Sequence, residues 1–141
     1  MRTIKFRGFG AGKWRYGYYV HFDERPLLSV IYNPKFRDFI ISQDKYGEHA
    51  IPVDPETVGQ FTGLLDKNNK PIYEGDIVKD ERGKVGYIGW LQQECGFVIV
   101  WEKSDSRLGH RARGSGYKYD LSLEVIGNIY DNKEQTQTII Q

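Results

Sequence analysis

Residues 58–78, VGQFTGLLDKNNKPIYEGDIV, contain the signals that decide the fold. Two short apolar runs flank the polar segment DKNNK at residues 66–70, and this pattern predicts a β-hairpin. Downstream, the pair Gly75-Asp76 predicts a tight turn into the next strand. In that turn, the Asp76 carboxylate is expected to accept hydrogen bonds from backbone amides.

The pattern of apolar residues around this stretch is typical of strands. Just upstream, Asp54-Pro55 predicts a single helical turn, because Asp is a good N-cap and Pro is tolerated at the first helical position. Downstream, Gly83 ends a predicted turn at residues 80–83 that needs a positive φ. The remaining predicted elements are N-terminal strands at residues 4–7 and 14–22, further strands at 27–32, 36–41, 85–91, 97–101 and 121–130, and loops at 44–48 and 102–118.

These elements predict an all-β protein with one short helical turn. Residues 58–130 are predicted to form a small SH3-like barrel, preceded by an N-terminal β subdomain at residues 1–57 and followed by a tail at 131–141. Short turns, with glycines that allow curvature, are typical of small bent barrels. The segment GDIV at residues 75–78, followed by GKVG at 83–86, is similar to the opening of SH3-like barrels.

Length and composition indicate a single globular unit. The chain has 141 residues, of which 39% are hydrophobic and 28% charged. No apolar run approaches the roughly 20 residues that a membrane-spanning helix needs, and the N-terminus lacks the apolar core of a signal peptide. The sequence therefore predicts a cytoplasmic protein. Cys95 is the single cysteine, so no intrachain disulfide can form, and it is predicted to be a buried or partly buried, inert thiol.

Positive charge is concentrated in the first third of the chain. Residues 1–51 hold nine Lys/Arg against five Asp/Glu, whereas residues 52–101 hold five against eight and residues 102–141 hold six against six. The small overall charge of +1 argues against indiscriminate coating of nucleic acid. The basic first third is the better candidate for contact with an anionic partner.

Two groups of residues are candidates for contact with an anion or a nucleic acid. Those in the N-terminal strands are interleaved with aromatic residues, which favours phosphate contact combined with base stacking: Lys5, Arg7, Lys13 and Arg15. Those in the Gly/Ser-rich loop are Arg107, His110, Arg111, Arg113 and Lys118. The alternative for the N-terminal strands is that Lys and Arg form a solvent-exposed face while the aromatics form the core.

No catalytic residue, metal site or cofactor is predicted. The three histidines lie far apart in the sequence and lack a recognised ligand spacing. Glu74 and Asp76 would share a face on a regular strand, and with a histidine they would suit a small hydrolase or lyase. The alternative is that both belong to a turn.

The chain resembles the YopX family of small proteins, mostly encoded by phages and prophages. The central stretch at residues 58–78 carries the resemblance, together with IKFRG at 4–8, Trp14 with Tyr16-Gly17, and EVIGNIY at 124–130. The family has no established biochemical activity and offers no catalytic residues. The resemblance therefore implies a non-enzymatic accessory protein that acts by binding.

Three kinds of partner are weighed for such a protein. A protein partner or self-association is expected, because Tyr and Trp are enriched at interfaces and strand edges need cover. Nucleic acid is the alternative partner, bound through the basic loop at residues 107–118 and the N-terminal strands. No membrane partner is expected.

Overall fold

The computed structural model describes residues 2–23, 36–101, 105–107 and 122–132. In this part of the chain, the structure is all-β, as predicted, and its strands form two antiparallel sheets. The strands are β1 Phe6–Gly10, β2 Lys13–His21, β3 Asp38–Asp44, β4 Gly47–Pro52, β5 Gly59–Leu65, β6 Pro71–Tyr73, β7 Asp76–Lys79, β8 Val85–Leu91, β9 Gly96–Val100, β10 Asp105–Arg107 and β11 Glu124–Asn128. Short 3-10 turns occur at Pro55–Thr57 and Gln92–Glu94.

The chain divides into two compact units, Met1–Phe61 and Thr62–Gln141. The first unit is a sheet of order β4-β3-β2-β1-β5. β5 crosses the unit boundary: its first residues pair with β1, and the strand then continues to neighbour β6. The predicted boundaries at residues 57/58 and 130/131 stay predictions.

Close packing of backbone against backbone explains two glycines of the first unit. A Cβ atom added at Gly10 would lie 1.9 Å from the Pro52 carbonyl oxygen, and one added at Gly17 would lie 2.0 Å from that of Ile41. No side chain fits at such distances, so β1 and β2 can approach these segments only where glycine stands. The predicted helical turn is confirmed beside them, with Asp54 accepting a hydrogen bond from the Glu56 amide at 3.0 Å.

The second unit contains a five-stranded sheet of order β10-β9-β8-β7-β11. Its core is a cluster of fully buried side chains contributed by strands and the segments that flank them: Ile72, Val78, Ile88, Ile99, Trp101 and Leu123. The described strands form an open sheet and not a closed barrel. The prediction of a barrel is therefore not met in this part of the chain, because β10 and β11 lie at opposite edges of the sheet.

Two turns of the second unit have the same hydrogen-bonding pattern. In DKNNK, the Asp66 Oδ1 atom accepts from the Asn68 and Lys70 amides, and the backbone of Asp66 bonds to Lys70. In DERGK, Asp80 makes the equivalent bonds to Arg82 and Lys84. The fourth residue of each turn has a positive φ, 62° for Asn69 and 83° for Gly83. The predicted hairpin at residues 66–70 and the predicted role of Gly83 are thus confirmed.

Three local predictions were wrong. Residues 44–48 are not simply a loop, since β3 and β4 run to either side of a tight turn there. Residues 105–107 form a strand instead of part of a loop, because they pair with β9. Cys95 is exposed, not buried, since it ends a 3-10 turn with a positive φ of 48°.

One predicted strand, at residues 27–32, lies outside the described residues. Within the described residues, no helix is long and apolar enough to span a bilayer.

Candidate interaction surface

The β1–β2 hairpin places cationic and aromatic side chains on the same face of the first sheet. A two-residue turn, Ala11-Gly12, joins the strands, and both residues have positive φ, as a type I′ turn needs. The turn sets Phe9 opposite Trp14 and Arg7 opposite Tyr16, and directly opposed residues of antiparallel strands lie on one face. We call this surface the aromatic face, which comprises Lys5, Arg7, Phe9, Trp14, Tyr16 and Tyr18.

Contacts between cations and rings organise the aromatic face. The Arg7 guanidinium carbon lies 4.9 Å from the centre of the Trp14 ring, and the Lys5 Nζ atom lies 5.9 Å from that of Tyr16. Phe9 meets Trp14 edge-on, with ring centres 5.5 Å apart. Each cation–π contact contributes about 0.5–2 kcal/mol, more where water is excluded. Because Arg7 is only 5% exposed, its contact with Trp14 is the better shielded of the two.

Several rings of the aromatic face remain open to solvent. Tyr18 is 69% exposed, Tyr16 43% and Phe9 37%. Single exposed apolar residues are normal on protein surfaces, whereas a group on one face marks a site of interaction. The aromatic face is such a group.

The four N-terminal cations of the sequence prediction divide between the two faces of the hairpin. Lys5 and Arg7 belong to the aromatic face, whereas Lys13 and Arg15 lie opposite Gly10 and Gly8 and therefore on the other face. Arg15 donates from Nε to the Gly10 carbonyl at 3.0 Å and from Nη2 to that of Ala11 at 3.3 Å. These two hydrogen bonds from Arg15 stabilise the Ala11-Gly12 turn. The alternative, in which all cations share a face opposite the aromatics, is wrong for Lys5 and Arg7.

The sequence contains a signal for this division that the prediction did not use. With a two-residue turn at Ala11-Gly12, the paired positions always add to 23, so odd positions of β1 oppose even positions of β2. Lys5, Arg7 and Phe9 then oppose Tyr18, Tyr16 and Trp14. Recognising the type I′ turn would have placed the cations among the rings.

A polar cluster on the other face joins β2 to β3. Tyr19 donates from Oη to Asp38 Oδ1 at 2.5 Å, and His21 Nδ1 lies 2.8 Å from the same oxygen. Burial, together with the hydrogen bond to Asp38 and its negative charge, raises the pKa of Tyr19 to about 12. Tyr19 therefore stays a protonated donor at neutral pH, and the cluster stabilises the pairing of β2 with β3. The sequence prediction missed it, because its members are far apart in the chain.

The carboxylates considered for catalysis are explained by a turn. Asp76 is 1% exposed and accepts a hydrogen bond from the Tyr73 amide at 2.8 Å through Oδ2. Gly75 has a φ of 92°, so Glu74 and Asp76 are not alternate residues of a regular strand. Asp76 is closed to solvent, and the two carboxylates do not form the shared-face pair considered for acid–base chemistry. Among the described residues, no three His, Cys, Asp or Glu side chains form a group suited to a metal ion.

The loop candidates lie almost wholly outside the described residues. His110, Arg111, Arg113 and Lys118 are among the residues that the structure does not describe. The backbone of Arg107 lies at the end of β10, opposite Val98 of β9.

Fold and surface together define an all-β protein of two compact units with a cationic, aromatic sheet face. Comparison with family models matches residues 5–135 to YopX protein, and the chain belongs to the YopX family. Among solved structures, the crystal structure of protein EF1440 from Enterococcus faecalis is similar over 96% of this chain and 99% of that one, at 21% identity and a TM-score of 0.48. No curated protein matches the chain.

Proposed function

We propose that this chain is a non-enzymatic binding protein and that the aromatic face is its binding surface. One observation carries the proposal: Tyr16 and Tyr18 expose large parts of their rings on the face that also holds Lys5 and Arg7. Tyr, Trp and Arg are enriched at the centres of binding interfaces, where they contribute most of the binding energy. The YopX family supports the further proposal of a phage or prophage accessory protein in the cytoplasm of a bacterial host.

The sequence predicts a protein partner or a second copy of the chain. In support, the second unit also exposes an aromatic residue, since Trp90 is 49% exposed and packs edge-on against Phe97 with ring centres 5.0 Å apart. Light scattering across a range of protein concentrations tests self-association. A mass that stays at one chain at every concentration contradicts it.

The binding surface itself is tested by changing Tyr16 and Tyr18 together to Ala. We expect this variant to lose what the unmodified chain retains from a host extract, because two exposed rings are removed from the aromatic face. Tyr46→Ala is the matched control, since Tyr46 is 79% exposed but lies in the β3–β4 turn. Equal retention by the double variant and the control would contradict the proposal.

Nucleic acid is the second candidate partner, and it is favoured by the cations among the rings of the aromatic face. The loop at residues 107–118 remains a proposed second contact. Replacing Arg111 and Arg113 by Ala is expected to weaken such binding and its salt dependence, because phosphate contacts release bound counterions. Binding that is unaffected by this change would assign recognition to the N-terminal strands alone.

The SH3-like character of the second unit also stays a proposal. The order of its sheet supports it, because β11, the last of the described strands, lies beside β7 and the chain runs from β7 to β10 as a meander. The Gly75-Asp76 turn into β7 adds the local feature on which the prediction rested.

A further inference from the structure

We infer that the aromatic face binds single-stranded nucleic acid, with unpaired bases stacked on its exposed rings. This inference rests on the proposed function, because it names the partner of the same surface. Three features carry it: the charge of the hairpin, the spacing of its rings and the place of Lys5 among them.

The hairpin has the charge that a nucleic acid requires. Residues 2–22 contain five Lys/Arg and no Asp or Glu, and two of the five, Lys5 and Arg7, lie on the aromatic face. A positively charged strip that follows a phosphate backbone, combined with aromatic rings on which bases stack, is the usual construction of single-strand binding surfaces. Protein interfaces, by contrast, are depleted of lysine.

The backbone of β2 separates the two exposed tyrosines by a distance that suits unpaired bases. Tyr16 and Tyr18 are alternate residues of β2, so their Cα atoms are about 6.8 Å apart, twice the rise of about 3.4 Å between stacked bases. The Phe9–Trp14 pair continues the same face towards the turn. Exposed aromatics on a sheet bind two or three bases in known RNA-binding domains. A duplex hides the faces of its bases, so the aromatic face is selective for single strands.

The two cations have different parts in this surface. Lys5 is exposed, and its ammonium group lies near the Tyr16 ring, where it is placed to meet the phosphate beside a stacked base. Arg7 is buried against Trp14, with its guanidinium carbon 4.9 Å from the centre of that ring. It holds the ring in place and adds positive potential to the surface.

The test is fluorescence anisotropy of labelled oligonucleotides of about 12 nucleotides, within the site sizes known for single-strand binding modules. Oligothymidylate and oligouridylate distinguish DNA from RNA, and a duplex of the same length is the competitor. We expect the unmodified chain to bind single strands, to prefer them to the duplex and to weaken as salt rises from about 50 to about 200 mM. Failure to bind either single strand, or equal binding of the duplex, overturns the inference.

Matched variants locate the surface. Tyr18→Ala is expected to weaken binding roughly five-fold or more, the loss of one stacked base, whereas Tyr46→Ala leaves it unchanged. Lys5→Ala is expected to reduce the slope of log K against log salt by roughly 0.7, the value for one phosphate contact on a single strand. Lys13→Ala removes the same charge from the other face and leaves the slope unchanged. Equal effects of Lys5→Ala and Lys13→Ala overturn the inference.

The outcomes separate this inference from the proposed function. If no oligonucleotide binds, yet the Tyr16/Tyr18 double variant still loses a protein retained from host extract, the binding surface is correct and its partner is a protein. If oligonucleotides bind the double variant and the unmodified chain equally, the inference fails. The proposed function fails as well only if the double variant also retains from host extract everything that the unmodified chain retains. Far-ultraviolet circular dichroism of each variant establishes that the sheet is intact.

Discussion

Asp66 combines local and long-range hydrogen bonds in the second unit. Its side chain is almost completely buried at 4% exposure, and it accepts from two amides of its own turn and from the Val125 amide, 59 residues away, at 2.9 Å. Burial raises the pKa of the carboxyl, but the N–H groups of Val125, Lys70 and Asn68 outweigh it and hold the pKa below its ordinary value. The folded protein therefore favours the ionised form.

A comparison of Asp66 with Asp80 isolates the long-range bond. Asp80 makes the same two turn bonds but lies nearer to solvent. We expect Asp66→Ala to lower the free energy of unfolding by about 1.5–3 kcal/mol more than Asp80→Ala, the value of one hydrogen bond to a charged group. Urea denaturation of both variants at pH 7 measures the difference. Equal losses would show that the bond to Val125 contributes nothing.

The acid dependence of stability follows from the direction of the Asp66 pKa shift. Because its pKa is lower in the folded chain, the carboxylate stabilises the fold above the ordinary Asp value of about 3.9, and this contribution is lost as the pH falls through the folded value. Asp66→Asn is therefore expected to reduce the acid loss of stability, measured by urea denaturation between about pH 5 and pH 2. If the variant loses as much stability between about pH 5 and pH 2 as the unmodified chain, Asp66 is not the source of this acid dependence.

At the scale of elements, the β1–β2 hairpin depends on an unusual turn residue. Ala11 has a φ of 52°, a left-handed conformation that costs an L-residue with a Cβ about 1–2 kcal/mol. The side chain is exposed, so little packing is lost when it changes. The turn is retained because the pairing of five residues from β1 with five from β2 fixes its length.

Changes at Ala11 should therefore act through the backbone alone. Ala11→Asn is expected to raise the free energy of unfolding by up to about 1 kcal/mol, since Asn tolerates the left-handed region, whereas Ala11→Val is expected to lower it by at least about 1 kcal/mol. Chemical denaturation of the two variants gives both values. If both variants change the free energy of unfolding in the same direction, the effect comes from the side chain and not from the backbone conformation at residue 11.

The elements also show how far local sequence signals reach. Asp54 and Gly83 form hydrogen bonds to near neighbours, and their turns were predictable. β10 was missed because its pairing with β9 depends on a partner strand and not on its own short, polar sequence. Predicting that Lys5 and Arg7 lie on a different face from Lys13 and Arg15 requires knowledge of the register between β1 and β2. Predicting the hydrogen bond from Tyr19 to Asp38 requires knowledge that β2 and β3 are neighbours.

At the scale of the whole molecule, the second unit has a core that comes from its own residues. The cluster from Ile72 to Leu123 lies entirely within Thr62–Gln141. Ile99, with no exposed surface, packs there among side chains from β7, β8 and the flanking segments. Its contacts therefore stabilise mainly the second unit.

Ile99→Ala tests whether the two units lose stability separately. The change is expected to cost about 2–5 kcal/mol, because it removes buried methyl groups and leaves a cavity. Hydrogen exchange should accelerate at the amides of β8 and β9 and stay unchanged in β1 and β2. Uniform acceleration in both units would show instead that they open together.

Asp66 bonds both to its own turn and to β11, and this has a consequence for the order of folding. Its turn joins strands adjacent in sequence, and such hairpins close in about 1–10 μs. β11 lies far along the chain from this turn. Pairing it with β7 closes a long loop, which costs more entropy and is therefore slower. We therefore expect two local amides to orient the Asp66 carboxylate before β11 pairs, which leaves its other oxygen to accept from the Val125 amide. On this expectation, the Asp66 turn forms first and positions the oxygen to which β11 then bonds.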